Sequence, residues 1–132
     1  MPDSLTSLRY RRLWLATGWL MVLIVLILSL MPRPPQPLNF GGADKVEHVL
    51  AYFILMGWFA QIYHEARTRL WIAIGLIAMG IAIEILQPIL APRFFEWWDM
   101  LADTIGVLLA WALAGPRLSM LLTDFERRFL VR

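Results

Sequence analysis

Apolar residues form four long runs in this chain, and polar residues gather in the short segments between them. The runs cover about residues 13–31, 46–63, 70–90 and 100–114. A helix rises about 1.5 Å per residue and a hydrocarbon core is about 30 Å thick, so a run of about 20 residues can cross it. The pattern therefore predicts an all-α, polytopic membrane protein with four transmembrane helices, of which the fourth is short.

The composition agrees with a membrane protein, since 60% of the 132 residues are hydrophobic and only 17% are charged. Soluble domains carry more charge. The chain has no cysteine, which excludes disulfides and cysteine-based metal or thiol chemistry. We expect the first run to be kept as a span, because it is longer than a signal-peptide core and no small-residue cleavage site follows it. Residues 1–132 are then a single transmembrane domain.

Basic residues are divided unevenly between the two sides of the predicted bundle. One side would hold Arg9, Arg11, Arg12, Arg67, Arg69, Arg117, Arg127, Arg128 and Arg132, and the other Arg33, Lys45 and Arg93. Lys and Arg residues that flank spans stay on the cytoplasmic side. The pattern predicts cytoplasmic N- and C-termini. The net charge of +2 therefore indicates a membrane surface rather than a nucleic-acid partner.

Residues 116–132 are predicted to form a cytoplasmic tail. Its apolar residues recur at helical spacing with basic residues between them, at Leu118, Leu121, Leu122, Phe125, Phe129 and Leu130. Such a pattern is typical of an amphipathic helix that lies on a membrane surface. A frayed, solvated tail is the alternative.

The polar and ionisable residues within or beside the spans lie toward the predicted outer side. They are Asp44, Lys45, Glu47, His48, Tyr52, Glu84, Gln87, Asp99 and Asp103, and Arg93 lies in the loop between the last two spans. Residues four apart share a helix face, which places Asp44, His48 and Tyr52 on one stripe and Asp99 with Asp103 on another. Gly80 and Gly106 provide small surfaces where neighbouring helices can approach. The sequence predicts a polar pocket that opens to the outside.

Glu84 is the sharpest single signal, because it lies about 9 Å below the outer end of its span. An acid at the centre of a membrane helix costs about 2.5 to 3.5 kcal/mol. This cost would be compensated by His48, Arg93, Tyr52 or a bound cation. A hydrogen-bonded structural role for Glu84 is the alternative. For Asp44 the alternative is a role as helix N-cap, since its spacing to Glu47 is that of a capping box.

Two stretches of this chain resemble the VanZ-like membrane protein family, "DKVEHVLAYFIL" and "EILQPILAPRFFEWWDMLADTIGVLLAW". The family pattern falls on Asp44, Lys45, His48, Tyr52, Glu84, Gln87, Arg93, Asp99, Asp103 and Gly106. The family usually has Asn where this chain has Asp103, so the site here carries an additional acid. The resemblance implies a small multi-pass protein of the bacterial cytoplasmic membrane, associated with teicoplanin resistance. It implies a location and a phenotype but no reaction.

Binding is the first functional hypothesis. The outer pocket would recognise a lipid-linked cell-envelope precursor or a lipoglycopeptide, with Arg93, Lys45 and His48 meeting its anionic groups. Glu84, Gln87 and Asp103 would accept hydrogen bonds from sugar or amide groups. No cofactor is required by the sequence, and the lipid bilayer is the partner that it indicates.

Two other functions stay open. In a membrane-embedded hydrolase or transferase acting on a lipid-linked envelope substrate, His48 or Glu84 would be the acid–base residue. A divalent cation held by Glu84, Asp99, Asp103 and His48 is a variant of this enzyme. The third possibility is a role in helix packing alone. A homodimer is also left open, because four short spans bury little interior of their own.

Overall fold

The computed structural model describes residues 8–32, 35–90, 94–115 and 118–130. Within these ranges the chain is helical and contains no strand. Four long helices are α1 (Arg11–Leu30), α2 (Ala43–Ile62), α3 (Ala66–Leu90) and α4 (Trp97–Leu113). A C-terminal segment, Leu118–Leu130, joins a 3-10 turn (Leu118–Met120), the short α5 (Leu121–Phe125) and a π-helical turn (Glu126–Leu130). The predicted all-α class is confirmed, and each apolar run corresponds to one long helix.

Two of these helices, α1 and α3, are long and apolar enough to cross a membrane by themselves. Helix α4 has 17 residues and is too short to count as a span by itself. It is long enough only together with the C-terminal segment, from which it is bent by 92°. Helix α2 begins with Asp44, Lys45 and Glu47, which make its first turns polar. Length and composition therefore support two spans, or three if α4 and the C-terminal segment count as one.

Helix α2 lies at the centre of the bundle and contacts the other long helices. The buried core combines Tyr52, Leu55, Met56 and Phe59 of α2 with Val22 of α1, Ala73 and Leu76 of α3, and Val107 and Ala110 of α4. The closest approach lies between α2 and α4 at Gly106, where an added Cβ would collide with the carbonyl oxygen of Val49. Gly106 thus lets the two backbones touch, as small residues do in membrane helix pairs.

The predicted capping box at the start of α2 is wrong. Gly42 is the N-cap and takes the left-handed conformation with φ 80°, and no side chain caps the helix. Asp44 therefore lies inside the first turn rather than at the cap. Glu47 accepts a hydrogen bond from the backbone N–H of Leu38 at 3.0 Å, which ties the preceding loop to α2. Glycine at the turn starts the helix earlier than the acidic pair alone indicates.

Arg69 joins three carbonyl groups at the end of the bundle where α2 and α4 end. Its guanidinium donates to the carbonyl oxygens of Tyr63 at 2.6 Å, Ala60 at 2.6 Å and Ala114 at 3.0 Å. These carbonyls belong to the C-terminal ends of α2 and α4, which have no intrahelical partners. The sequence had indicated Arg69 only as a cytoplasmic charge.

The C-terminal segment folds back onto the start of α1 through Glu126. This carboxylate is 2% exposed and accepts hydrogen bonds from the backbone N–H groups of Arg9 at 2.8 Å and Tyr10 at 2.9 Å, and from Trp14 Nε1 at 2.5 Å. The segment exposes most of its apolar residues. Ser119, Leu122 and Thr123 are buried with Glu126, whereas Leu118, Leu121, Phe125 and Phe129 are exposed. Its predicted helical character is confirmed, and its placement on the membrane stays a prediction.

Candidate functional site

Lys45 is the centre of an ion-pair cluster that joins the first turns of α2 and α4. Its ammonium nitrogen lies 2.7 Å from Asp44 Oδ2 and 2.6 Å from Glu96 Oε2, and it also bonds Asp99 Oδ1. An ammonium group has three protons to donate. Three carboxylates therefore engage all of its donors.

His48 lies one turn further along α2 and pairs with α4 in the same way. Its Nδ1 is 2.7 Å from Asp103 Oδ1, and its Nε2 is 3.8 Å from Asp99 Oδ2. Lys45 and His48 are three residues apart, and the two aspartates are four apart, so each pair shares a helix face. Two parallel helices thus align their charged stripes. The predicted meeting of the His48 and Asp103 stripes is observed.

Gly80 of α3 makes room for the Asp103 carboxylate. A Cβ at Gly80 would lie 2.8 Å from Asp103 Oδ2. Asp103 is 3% exposed, so its charge is enclosed by α2, α3 and α4. A buried carboxylate requires such a partner as His48, because desolvation alone would be costly.

Glu84 is buried, with 1% of its surface exposed, and it anchors the start of α4. Its Oε1 accepts a hydrogen bond from the backbone N–H of Glu96 at 2.6 Å. Glu96 is the N-cap residue of α4, whose first amides lack helical partners. The sequence-based candidates for compensating Glu84 did not include a backbone amide. Of these candidates, Arg93 lies outside the described residues.

Gln87, also 1% exposed, ties α3 to the end of α1. Its Nε2 donates to the carbonyl oxygen of Ser29 at 2.8 Å. With Glu84 one turn away on the same face, the C-terminal end of α3 contacts both α1 and α4. Gln87 therefore supports the wall of the cavity described next.

A cavity of about 540 Å³ opens beside this cluster, between α1, α2 and the loop that joins them. Five predicted residues line it: Asp44, His48, Tyr52, Gln87 and Asp99. Lys45 and Asp103 bond to lining residues, and Glu84 bonds to the backbone of the lining residue Glu96. The structure thus gathers every described member of the predicted site at one end of the bundle.

The remaining walls of the cavity were not predicted from the sequence. Helix α1 contributes Val25, Leu28 and Ser29, and the loop contributes residues 35–38. Glu47 and Glu96 add two more carboxylates. The hydrogen bond between Glu47 and Leu38 holds this loop against the cavity.

The cluster is strongly acidic. Its carboxylates are Asp44, Glu47, Glu84, Glu96, Asp99 and Asp103, and its basic groups among the described residues are Lys45 and His48. Both of these are already engaged by aspartate, so neither is free to bind a bare anion. The arrangement therefore favours ligands that donate hydrogen bonds over ligands that are anionic.

The carboxylates of Asp44, Glu96 and Asp99 come within 4.8 Å of one another and could hold a metal ion. The Lys45 ammonium bonds all three, so a cation would have to displace it. The predicted metal ligands were Glu84, Asp99, Asp103 and His48. Of these, only Asp99 belongs to the group of carboxylates that come together. The donor oxygens fit a hard cation, but they are satisfied by Lys45.

His64, the second histidine of the chain, lies at the opposite end of the bundle. Its Nε2 is 3.0 Å from the carbonyl oxygen of Gln61. Burial and the nearby charge of Arg69 lower the pKa of His64, which keeps its ring neutral near pH 7. It is remote from the cavity and provides a matched control for His48.

Comparison with known proteins supports the resemblance seen in the motifs. Residues 20–118 match the family model described as VanZ/LLP1, well beyond the stretches that carry the motifs. An uncharacterised protein of Schizosaccharomyces pombe is 29% identical over 113 residues, which are 83% of this chain and 67% of that protein. No solved structure matches the chain.

Proposed function

Because this chain belongs to the VanZ/LLP1 family, we propose that it is a multi-pass membrane protein that binds the headgroup of a lipid-linked envelope precursor. The single observation that carries the proposal is the two-sided lining of the outer cavity. One wall is apolar and comes from Val25 and Leu28 of α1 with Leu50 of α2. The other wall holds carboxylates and His48. Such a cavity fits an amphiphile that enters from the bilayer.

The chemistry of the polar wall selects the kind of headgroup. Ionised carboxylates only accept hydrogen bonds, so Asp44, Glu47 and Asp99 favour hydroxyl, amide and amine donors. A sugar or peptide headgroup supplies such donors, and so does a lipoglycopeptide such as teicoplanin.

Replacement of His48 tests the proposal directly. The protein is purified in nanodiscs from a bacterial membrane, and co-purifying lipids are identified by mass spectrometry. We expect a glycolipid to be retained by wild type and reduced about tenfold in His48→Asn, since tenfold corresponds to about 1.4 kcal/mol. His64→Asn should retain the wild-type amount. The proposal fails if the glycolipid signal is absent from wild type or equal in the two histidine variants.

A second candidate is the membrane-embedded hydrolase or transferase, and the His48–Asp103 contact favours it. Asp103 holds Nδ1 of His48 and leaves Nε2 on the side of Asp99 and the cavity, where it can accept a proton. In an enzyme, Asp103→Asn should lower turnover of a lipid pyrophosphate or ester by about a hundredfold or more while binding persists, because general acid–base catalysis is worth about 10² to 10⁴. If the site only binds lipid, wild type forms no product. Asp103→Asn then changes only the amount of lipid that is retained.

Four spans with cytoplasmic termini form the topological part of the proposal. The asymmetry of charge supports it. Among the described residues, the end that holds both termini contains Arg9, Arg11, Arg12, Arg67, Arg69, Arg127 and Arg128, whereas the opposite end contains Lys45. Basic residues of short loops remain in the cytoplasm. The cavity then faces outward.

Cysteine labelling tests this topology, because the chain has no cysteine of its own. Gly41 and Glu65 are exposed at opposite ends of α2. In intact bacterial cells a membrane-impermeant maleimide should label Gly41→Cys fully. It should label Glu65→Cys only after the cells are permeabilised. Labelling of Glu65→Cys in intact cells would contradict the proposed orientation.

A further inference from the structure

We propose that the protein has a second lipid site, at the end of the bundle that holds both termini. It is a groove between α2, α4 and the C-terminal segment, and its volume is about 430 Å³. Its ligand is an anionic phospholipid, with one acyl chain in the groove and the headgroup among the surrounding arginines. The groove shares no lining residue with the proposed outer site, and its Leu121, Leu122 and Phe125 lie beyond the family match.

The lining of the groove is suited to a hydrocarbon chain. Ile54, Leu113, Leu121 and Phe125 are among its apolar residues, and among the described residues of its lining only Gln61 has a side-chain amide. That amide is engaged at both ends, since Nε2 donates to the carbonyl oxygen of Leu118 and Oε1 accepts from the backbone N–H of Leu122. An apolar occupant therefore leaves no polar partner unmet.

Gly57 leaves the groove open. An added Cβ at Gly57 would meet no atom within 4 Å, although the residue lies in the middle of the central helix α2. A side chain there would fill the space without collision. A groove left empty in this way loses dispersion contacts along its lining, which an acyl chain would restore.

Charge complementarity indicates an anionic headgroup. Exposed arginines at this end include Arg9, Arg12, Arg67 and Arg128, and the last of these lies about one turn beyond Phe125. Exposed acids at this end, among the described residues, are Glu65 and Asp124. The excess of arginine attracts anionic lipids, and basic pockets between membrane helices on the cytoplasmic side bind their headgroups.

The exposed side of the C-terminal segment extends the apolar surface of the groove. Leu118, Leu121, Phe125 and Phe129 are 45 to 61% exposed, while Glu126 faces α1. An apolar stripe on a segment that is anchored to the bundle is stable when lipid covers it. The lipid in the groove and the lipid around the stripe belong to the same leaflet.

The experiment measures lipids retained by the full chain in native mass spectrometry, after reconstitution with equal amounts of phosphatidylglycerol and phosphatidylcholine. Wild type should retain one phosphatidylglycerol in preference to phosphatidylcholine. Gly57→Leu should retain about tenfold less. Gly75→Leu is the matched control, because an added Cβ at Gly75 also meets nothing within 4 Å and the residue lies outside the groove. It should behave as wild type.

A charge variant keeps the test decisive if Gly57→Leu does not fold. Arg128→Gln leaves the groove intact and should reduce the preference for phosphatidylglycerol over phosphatidylcholine by at least half. Equal retention by wild type, Gly57→Leu and Arg128→Gln would overturn the proposal, and so would retention of both lipids without preference. His48→Asn should change none of these values, because the groove and the outer cavity share no lining residue.

Discussion

Replacement of Gly106 with valine is expected to prevent the bundle from folding. An added Cβ at this position would overlap the carbonyl oxygen of Val49 and lie 3.0 Å from the amide nitrogen of Phe53, both of them backbone atoms of α2. Rotation of a side chain cannot relieve a collision with backbone. Overpacking of cores costs about 1 to 3 kcal/mol even where side chains can move. We expect more than about 3 kcal/mol here, which is a large part of the stability of a small domain.

Gly75→Val is the control, because the same change at Gly75 meets no atom within 4 Å. The measurement is thermal unfolding in detergent together with the yield of monodisperse protein. We expect no monodisperse Gly106→Val protein and a normal yield of Gly75→Val. A melting temperature of Gly106→Val close to that of Gly75→Val would show that α2 and α4 do not approach as closely as described.

Removal of Arg69 is expected to be the second most damaging change. Arg69→Met would leave the carbonyl groups of Ala60, Tyr63 and Ala114 without their shared donor. A hydrogen bond to a charged group contributes about 1.5 to 3 kcal/mol. With three such bonds lost, partly compensated by water, we expect destabilisation of about 3 kcal/mol in thermal unfolding.

Arg67→Met is the matched control for this change, since Arg67 is exposed on the same helix. Exposed substitutions usually remain within about 0.5 kcal/mol. Both variants remove one positive charge from the same end of the bundle. If the two unfold alike, Arg69 acts only as a topogenic charge, and its contacts with the helix ends contribute little.

The long helices could be predicted from hydropathy, because a helix that faces lipid must be apolar over most of its length. The outer cluster could be predicted as well, since helical spacing places His48 and Asp103 on facing stripes. What hydropathy could not provide was the way the helices pair. Lipid is as apolar as a leucine side chain, so apolar pattern does not distinguish a core face from a lipid face. The close crossing at Gly106 depends on shape rather than hydrophobicity.

Contacts with backbone atoms account for most of what the sequence did not reveal. Glu84 binds the amide of Glu96, Arg69 binds helix-end carbonyls, and Glu126 binds the amides at the start of α1. Every residue has a backbone amide and carbonyl, so sequence marks no particular one as a partner. Arg69 was visible only as a charge and Glu126 gave no signal for a role, whereas Glu84 was a site candidate whose backbone partner could not be named.

The C-terminal segment illustrates a related difficulty. Its helical spacing of leucine and phenylalanine was visible, but not the direction in which they face. The buried positions are Ser119, Leu122, Thr123 and Glu126, because Glu126 must reach the start of α1. Most of the apolar residues consequently face outward. In a soluble protein the same pattern would indicate the opposite arrangement.

The central claim is that the outer cavity holds a lipid headgroup, and filling the cavity tests it most directly. Ala51 lines the cavity, whereas Ala112 is exposed on α4 and lines neither cavity nor groove. The measurement is rebinding of the co-purified glycolipid to delipidated protein in nanodiscs. We expect Ala51→Phe to weaken binding at least tenfold while every charged residue remains in place, and Ala112→Phe to bind as wild type does. Equal affinity of Ala51→Phe and wild type would contradict the claim.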